Sequence, residues 1–379
     1  MAFSVQVSEI EALIKRAAAD AGFDLAGIAP ASHHDELEFF PSWIAAGHAG
    51  EMKYLEARDE HGELKRAALS RVAPWAKSVI VCAINYNAAE PYSTQVQDRS
   101  RGWISRYAWS KEDYHDAVLC RLKKVEEAVW GGQHSCPPEL TTRSYVDTGP
   151  IVERVFAKYA GIGWIGKNTC IINQQKGSWL FLGVILTSLE LQPDMPAPDR
   201  CGTCTRCIEA CPTDAILEPY LLDSNRCISY LTIEKRGTIK DENLRQGIGR
   251  HVFGCDICQD VCPWNRKAPV SLAPEFSPRP GLVNPDLSSI ANVSEEEFRQ
   301  RFRGSPIRRA KRAGLRRNAL IAMGNSGNPK FLPVLEKIAQ DHDEDEVIVE
   351  SARWAANKLR NRAAQHNQEP RRNKVAQTP

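Results

Sequence analysis

The sequence predicts a mixed α+β/α/β protein of several domains, and three observations carry that prediction. Helix-period and strand-like segments interleave up to about residue 190. Cysteines then crowd into one short stretch, and after a proline-rich break only helical periodicity remains. A chain of 379 residues has room for two or three domains. The shifts divide it into an α/β domain (1–190), a cysteine-rich unit (191–267), a helical region (285–360) and a polar, disordered tail (361–379).

In order along the chain, residues 8–21 repeat Ile10, Leu13, Ile14 and Ala17 at helical spacing, and Gly22 ends the helix. Phe23–Ala29 follows as a strand. Residues 36–58 are helical again, with a glycine break at Gly47–Gly50. Ser78–Ile84 is a continuous apolar run, as a buried strand requires. Residues 87–102 are polar and turn-rich, a surface loop. A helix over Glu112–Trp130 puts Val118, Leu119, Leu122, Val125 and Val129 on one face, and Gly131–Leu140 is a second loop. Arg143–Pro150 is a short strand turning into a helix over Ile151–Ala160. Pro150 suits its first turn, where a missing N–H costs nothing. The glycine-rich loop Gly161–Asn168 precedes strands at Cys170–Ile172 and Trp179–Thr187, and Leu191–Pro198 is a linker.

Cys201, Cys204, Cys207 and Cys211, followed by Pro212, form a C-x2-C-x2-C-x3-C-P run. In bacterial-type ferredoxins such a run gives three thiolates to one iron–sulfur cubane and the fourth to another. Cys227, Cys255, Cys258 and Cys262-Pro263 supply a second set. Crossing the ligands in that manner assigns Cys201, Cys204, Cys207 and Cys262 to one [4Fe–4S] cluster and Cys211, Cys227, Cys255 and Cys258 to the other. Zinc sites and disulfides are the alternatives. Zinc favours separated pairs of ligands, and disulfides need an oxidising compartment. The interval Ser229–Gly254 exceeds what a bare ferredoxin requires, so it is expected to be functional surface.

Beyond Pro263, residues 268–284 are a second linker and 294–303 a short helix. Helical patterns around 315–329, 331–339 and 347–360 resemble one or two HEAT-type repeats, which would pack on the cysteine-rich unit because two repeats cannot bury a solenoid core. Between Arg299 and Arg317 lie Arg299, Arg301, Arg303, Arg308, Arg309, Lys311, Arg312, Arg316 and Arg317, with no acid among them. The net charge is only +2, so this local concentration points to a phosphate backbone, RNA or DNA, rather than a solvated helix face.

Hydrophobic content of 42% and charged content of 25% fit an ordinary globular protein. No stretch approaches about 18 apolar residues, and the N-terminus has no secretory or twin-arginine pattern, so a cytoplasmic location without membrane contact is expected. The remaining cysteines, Cys82, Cys120, Cys136 and Cys170, read as small core residues.

Two features are candidates for chemistry, each beside a plainer reading. Gly163 and Gly166 would let backbone approach a cofactor, or would simply close a hairpin. Asp147, where a strand gives way to a helix, is either a catalytic carboxyl or a helix-start aspartate. As a proton donor near pH 7, a carboxyl of pKa about 3.9 would have to be raised about three units.

Together these pieces resemble the epoxyqueuosine reductases. The matching stretches include Glu51-Met-x-Tyr-Leu, Ser105-Arg-Tyr-Ala, Asp113-Tyr-His, Val146-Asp-x-x-Pro-Ile-x-Glu-Arg154, Gly163-Trp-Ile-Gly-Lys167, both cysteine sets, Arg226 to Glu234, Cys262-Pro-Trp-Asn265 and Ser305-Pro-Ile-Arg-Arg309. The resemblance implies a monomeric enzyme that reduces epoxyqueuosine to queuosine at the wobble position of tRNA, with cobalamin, two [4Fe–4S] clusters and an external low-potential electron donor. It makes Asp147 the proton donor. It sets Arg58, Ser110, Ile171, Leu182, Ser229, Cys255 and Asp256 beside cobalamin, and Glu153, Arg154, Lys235, Arg236, Arg308 and Arg309 near the tRNA. Arg106-Tyr-Ala-Trp-Ser-Lys-Glu-Asp-Tyr-His115 lacks the family's usual glycine and is one residue longer, which bears on Ser110. The rival readings are a cobalamin-dependent reductive dehalogenase, opposed by the basic run, and a non-catalytic ferredoxin-type carrier with an RNA-binding appendage.

Overall fold

The computed structural model describes residues 2–131 and 140–372. Most of the expected Gly131–Leu140 loop, Cys136 and residues 373–379 lie outside the described residues. Helix α1 (Ala2–Asp20) closes at Gly22, whose φ of +86° an L side chain adopts only with strain. Strand β1 (Leu25–Pro30), helix α2 (Asp35–Ala45), strand β2 (Ser78–Asn85), the two-residue β3 (Trp103–Ile104) and helix α3 (Tyr114–Trp130) follow. Next come β4 (Thr142–Tyr145), α4 (Glu153–Tyr159), the short β5 (Trp164–Ile165) and β6 (Ile171–Ile172), and β7 (Leu180–Thr187).

Four of these strands form a sheet in the order β1-β2-β7-β4, antiparallel at every pairing. The topology is therefore α+β rather than the parallel arrangement that interleaved helices and strands suggest. The apolar run in β2 has a direct cause, since all of β2 is buried. Ile80, Cys82 and Ile84 pack with residues of α1 and α3 on one face, and Val79, Val81 and Ala83 with residues of α4 on the other.

Two local expectations change. Helix α4 starts at Glu153, so Pro150 lies ahead of it in a turn rather than in its first turn. Asp147 at φ +58° bends the chain there, with Thr148 N–H donating to the Val146 carbonyl at 2.6 Å. The Gly161–Asn168 loop is a hairpin: β5 pairs with β6, and a Cβ on Gly163 would fall 2.4 Å from the Ile172 carbonyl oxygen.

The cysteine-rich unit holds the single turns α5 (Arg206–Glu209) and α8 (Ile257–Asp260). Between them lie β8 (Ile216–Glu218), β9 (Leu221–Leu222), α6 (Ile228–Ile233), α7 (Glu242–Gly247) and β10 (His251–Phe253). Helices α9 (Leu287–Ala291), α10 (Glu295–Arg301), α11 (Lys311–Ser326), α12 (Leu332–Ala339) and α13 (Glu346–Arg372) complete the chain. Residues 361–372, expected as part of a disordered tail, are helical as the end of α13.

The helical core is not self-contained. Ile104, Ala108 and Trp109, from the first 190 residues, are buried in it together with Val252, Phe253, Leu315 and Leu320. Helix α11 runs through its centre with Leu315–Gly324 wholly buried. Arg316 and Arg317 are thus only 5% and 1% exposed, which removes them from the expected phosphate-facing run. Arg316 makes a two-pronged contact with Glu344 at 2.9 and 2.7 Å. Arg317 donates to the carbonyls of Leu231, Lys235 and Gly237 at 2.6–2.9 Å. Cys82 is buried as expected, whereas Cys120 is exposed and is no core residue. Among the described residues no helix is long and apolar enough to cross a membrane.

Candidate active site

The cysteines sort into two groups by their influence on one another. Burial pushes the Cys207 thiol up to about 11, with further contributions from Cys201, Cys262 and Cys204. Cys262 is raised by burial and, in its turn, by Cys201 and Cys204. Burial likewise raises Cys255, with Cys227 and Cys211 adding to it, and raises Cys227, with Cys211 adding. Cys258 is raised first by its hydrogen bond with Cys170 and by burial, with Cys255 and Cys227 adding to it. These influences run within Cys201, Cys204, Cys207 and Cys262 and within Cys211, Cys227, Cys255 and Cys258, with Cys170 acting on both Cys258 and Cys262. Iron binds only the thiolate, so loading either group would release these protons. Among the described residues no three or more His, Cys, Asp or Glu side chains close on a point to hold a single metal ion.

Cys170, expected in the core, hydrogen-bonds instead with Cys258, and that bond holds its thiol down. It is a ninth thiol at the cysteine unit, which no spacing rule marks.

Asp147 is built into a second constellation. Asp113 caps α3, accepting from the His115 N–H at 3.1 Å and meeting His115 Nδ1 at 2.7 Å. Tyr114 stacks on Phe181 of β7 with ring centres 4.4 Å apart, and its hydroxyl donates to Asp147 Oδ2 at 2.9 Å. His115 Nε2 lies 3.5 Å from the same oxygen. Arg66 straps the turn from outside, donating to the carbonyls of Gly149 at 2.8 Å and Tyr54 at 2.9 Å. The Asp147 side chain remains 67% exposed.

The charges are paired accordingly. The hydrogen bond from His115, with that from Tyr114, holds the Asp147 carboxyl below its usual range against opposing desolvation. Burial alone would lower His115, but its hydrogen bonds to Asp113 and Asp147 outweigh burial and push it up to about 9. In the chain alone the Asp147 carboxyl is held down and His115 up, so at neutral pH the carboxylate is charged and the proton sits on His115; the raised Asp147 expected with cofactor and substrate bound concerns a different state. Sequence reasoning gave Tyr114 and His115 no such role.

Glu153 is half-buried, with Oε1 lacking any hydrogen-bond partner. Burial pushes it up to about 7, and the charge of Asp147 adds to this.

The residues expected beside a corrinoid are partly gathered here. Tyr107, raised by burial, also feels Asp147 and Asp256, linking the carboxylate site to the Cys255–Cys258 segment. Asp256 is buried, its oxygens taken by the Ser105 hydroxyl and, at 2.6 Å, the Arg106 N–H. Ser229 hydrogen-bonds Cys227. Ile171 is buried, while Leu180 and Leu182 are left half-buried on β7. Arg58 is exposed, with its guanidinium on the Gly62 carbonyl at 2.7 Å. Ser110 departs from the set: it is 3% exposed, with its hydroxyl on the Tyr107 carbonyl. A flat, largely apolar macrocycle fits the half-buried leucines and Tyr107.

Of the cations expected at the tRNA, Arg154 is exposed and donates to the Thr169 carbonyl at 3.0 Å. Arg308 is exposed and, among the described residues, without a side-chain partner. Arg309 grips Glu234 at 2.8 and 3.1 Å, over the Tyr54 ring. Lys235 pairs with Glu51. Arg236 is exposed, with its guanidinium donating to the carbonyls of Ile233, Arg309 and Ala310.

The fold and the paired thiol sets define an iron–sulfur oxidoreductase. Residues 200–265 match the family described as "4Fe-4S double cluster binding domain". Residues 66–148 match "Epoxyqueuosine reductase QueG, DUF1730". A Synechocystis protein named epoxyqueuosine reductase is 45% identical over 77% of this chain and 98% of its own length. One from Gloeobacter violaceus, of the same name, is 41% identical over 84% and 97%. The chain belongs to the epoxyqueuosine reductase family. A crystal structure of an epoxyqueuosine reductase with an epoxyqueuosine-modified tRNA-Tyr stem loop superposes with a TM-score of 0.82 at 31% identity, covering 93% of this chain and 91% of the other. A Bacillus subtilis structure, described as having its catalytic aspartate loop swung out of the active site, gives 0.81 at 30% identity over the same shares.

Proposed function

We propose that this chain reduces epoxyqueuosine to queuosine at the wobble position of tRNA in the cytoplasm, using two [4Fe–4S] clusters on the two thiol sets and a cobalamin. Arg58, Ile171, Leu182, Ser229, Cys255 and Asp256 would hold the cobalamin, with Ser110 in a supporting position behind Tyr107. When bound, that cofactor supplies strongly reducing low-valent cobalt chemistry.

Loss of the epoxide oxygen as water takes up two electrons and two protons and leaves the cyclopentene. The chain's own part is to place the substrate and supply protons. Asp147 Oδ2 is occupied by Tyr114 and His115, which leaves Oδ1 for the substrate. A proton moving from Asp147 to the oxygen is replaced from His115, so the imidazolium is the store and the carboxylate the delivery point. Arg154 and the exposed cations Arg303, Arg308 and Lys311 are suited to the phosphates of the stem. Of these, Lys311 opens the helices read as HEAT-like (α11–α13), Arg303 and Arg308 lie just ahead of them, and Arg154 is on α4. The observation that carries the reading is Asp147 held between Tyr114 and a protonated His115, in a chain of this family.

The test is mass spectrometry of nucleosides from tRNA bearing epoxyqueuosine, after anaerobic incubation with reconstituted protein, cobalamin and reductant. Queuosine formation is expected. Fully loaded protein that leaves the epoxide intact would overturn the proposal.

A further inference from the structure

We infer that the exposed rim around the Cys201–Cys207 loop is a docking face for an acidic one-electron carrier protein. The inference rests on the two-cluster reading above and concerns where electrons arrive. The Cys255–Cys258 segment adjoins Asp256 and Tyr107 and so faces the carboxylate site. The Cys201 set faces outward: Gly202, Thr203, Thr205 and Arg206 are exposed, and a Cβ on Gly202 would meet no atom within 4 Å.

The charges on this rim are uncommitted. Arg200, Arg206 and Arg266 are exposed and, among the described residues, their side chains have no ion pair or hydrogen bond. Arg206 and Arg266 line one concavity over Ala210 and Val261, which also holds Glu209 and Asp260. Glu209 is engaged by the Thr205 hydroxyl. The Lys167 amine is fixed on the same loop, donating to the carbonyls of Gly202 at 2.7 Å and Cys204 at 3.0 Å. Beside them Tyr220 is 43% exposed, and its hydroxyl donates to Asp199, which also accepts the Cys201 N–H at 2.7 Å. Unpaired arginines flanking the Cys201–Cys207 loop, with an exposed tyrosine beside it, suit a transient, electrostatically steered redox partner. RNA would also be drawn to arginines, but it gains nothing from lying over a redox centre.

The test uses the full chain with clusters reconstituted anaerobically, reduced either by reduced flavodoxin, an acidic carrier, or by dithionite. In the double variant Arg206→Glu/Arg266→Glu the flavodoxin rate constant should fall about tenfold or more at low salt, the gap closing as salt rises. Iron content and dithionite reduction should not change. If that variant loses iron, Arg206→Gln/Arg266→Gln decides, with a smaller fall expected. A flavodoxin rate equal to wild type, equal losses with both reductants, or a wild type that flavodoxin cannot reduce would each overturn the inference. So would weaker tRNA binding at an unchanged flavodoxin rate. A wild type that takes up no reducible clusters would instead sink the two-cluster reading beneath it.

Discussion

His115 Nε2 lies 3.5 Å from Asp147 Oδ2, while its Nδ1 lies 2.7 Å from Asp113 Oδ1. One imidazolium is thus clamped between two carboxylates, one capping α3 and the other on the strained turn after β4. Replacing Asp147 by Asn should leave iron content intact and lower kcat by about 100- to 10 000-fold, the usual span for a positioned proton donor. A near wild-type rate in single-turnover assays would remove Asp147 from the chemistry.

The same clamp sets a pH limit. His115 is raised from 6.5 to about 9, so its contribution to stability is complete below about 6.5 and is lost as pH rises through about 9. The activity profile should fall over that upper limb. In His115→Gln both the limb and the matching slope in chemical denaturation should vanish, and a limb that survives in the variant would assign it to another group.

Glu153 behaves in the opposite way to a salt-bridged acid. Its folded pKa of about 7 lies above the unfolded 4.5, so the unfolded chain loses the proton first and stability declines as pH rises through that interval. Glu153→Gln should therefore gain on the order of 2–3 kcal/mol at about pH 8 and little near pH 4.5. Equal urea midpoints for wild type and variant at about pH 8 would contradict the burial argument.

Two arginines from one basic run should give opposite results. Arg317→Ala strips the partners from three backbone carbonyls and should cost several kcal/mol, at about 1–3 kcal/mol per unsatisfied group. Arg308→Ala should leave the melting temperature unchanged while reducing the salt slope of tRNA binding by about 0.7–0.9. An unaltered slope would return Arg308 to the solvated surface.

Cysteine variants should divide by thiol set. Cys82→Ala is expected to retain full iron, because Cys82 is buried among Ile80, Ile84 and the α3 side chains. Cys207→Ala and Cys255→Ala should each lose iron, with distinct spectroscopic signatures because they lie in different sets. Iron lost from Cys82→Ala would overturn the ligand assignment.

Much of the fold and site is legible along the chain because its causes are local. The β2 run is apolar throughout because both faces are covered, and the cysteine spacing is fixed by short loops. Legibility fails where the cause lies elsewhere in the chain. The Tyr114 and Asp147 contact joins residues 33 apart, and nothing in either segment alone announces it. Arg316 and Arg317 look like surface charge because the carboxylate and carbonyls that absorb them come from distant elements. The antiparallel sheet is hidden for a related reason: interleaved helices and strands do not reveal which edges meet. Cys170 shares this, as only the folded hairpin brings it to Cys258.

Ile104, Ala108 and Trp109 reach across to fill the hydrophobic interior of the C-terminal helices. Severing the polypeptide at the proline linker near residue 191 would therefore orphan both halves. The downstream fragment would lack an indole wedge at its heart, and the upstream one would bear that wedge bare to water. The two portions of this chain are thus inseparable by truncation, and neither could have been swapped as an independent cassette without rebuilding that shared seam.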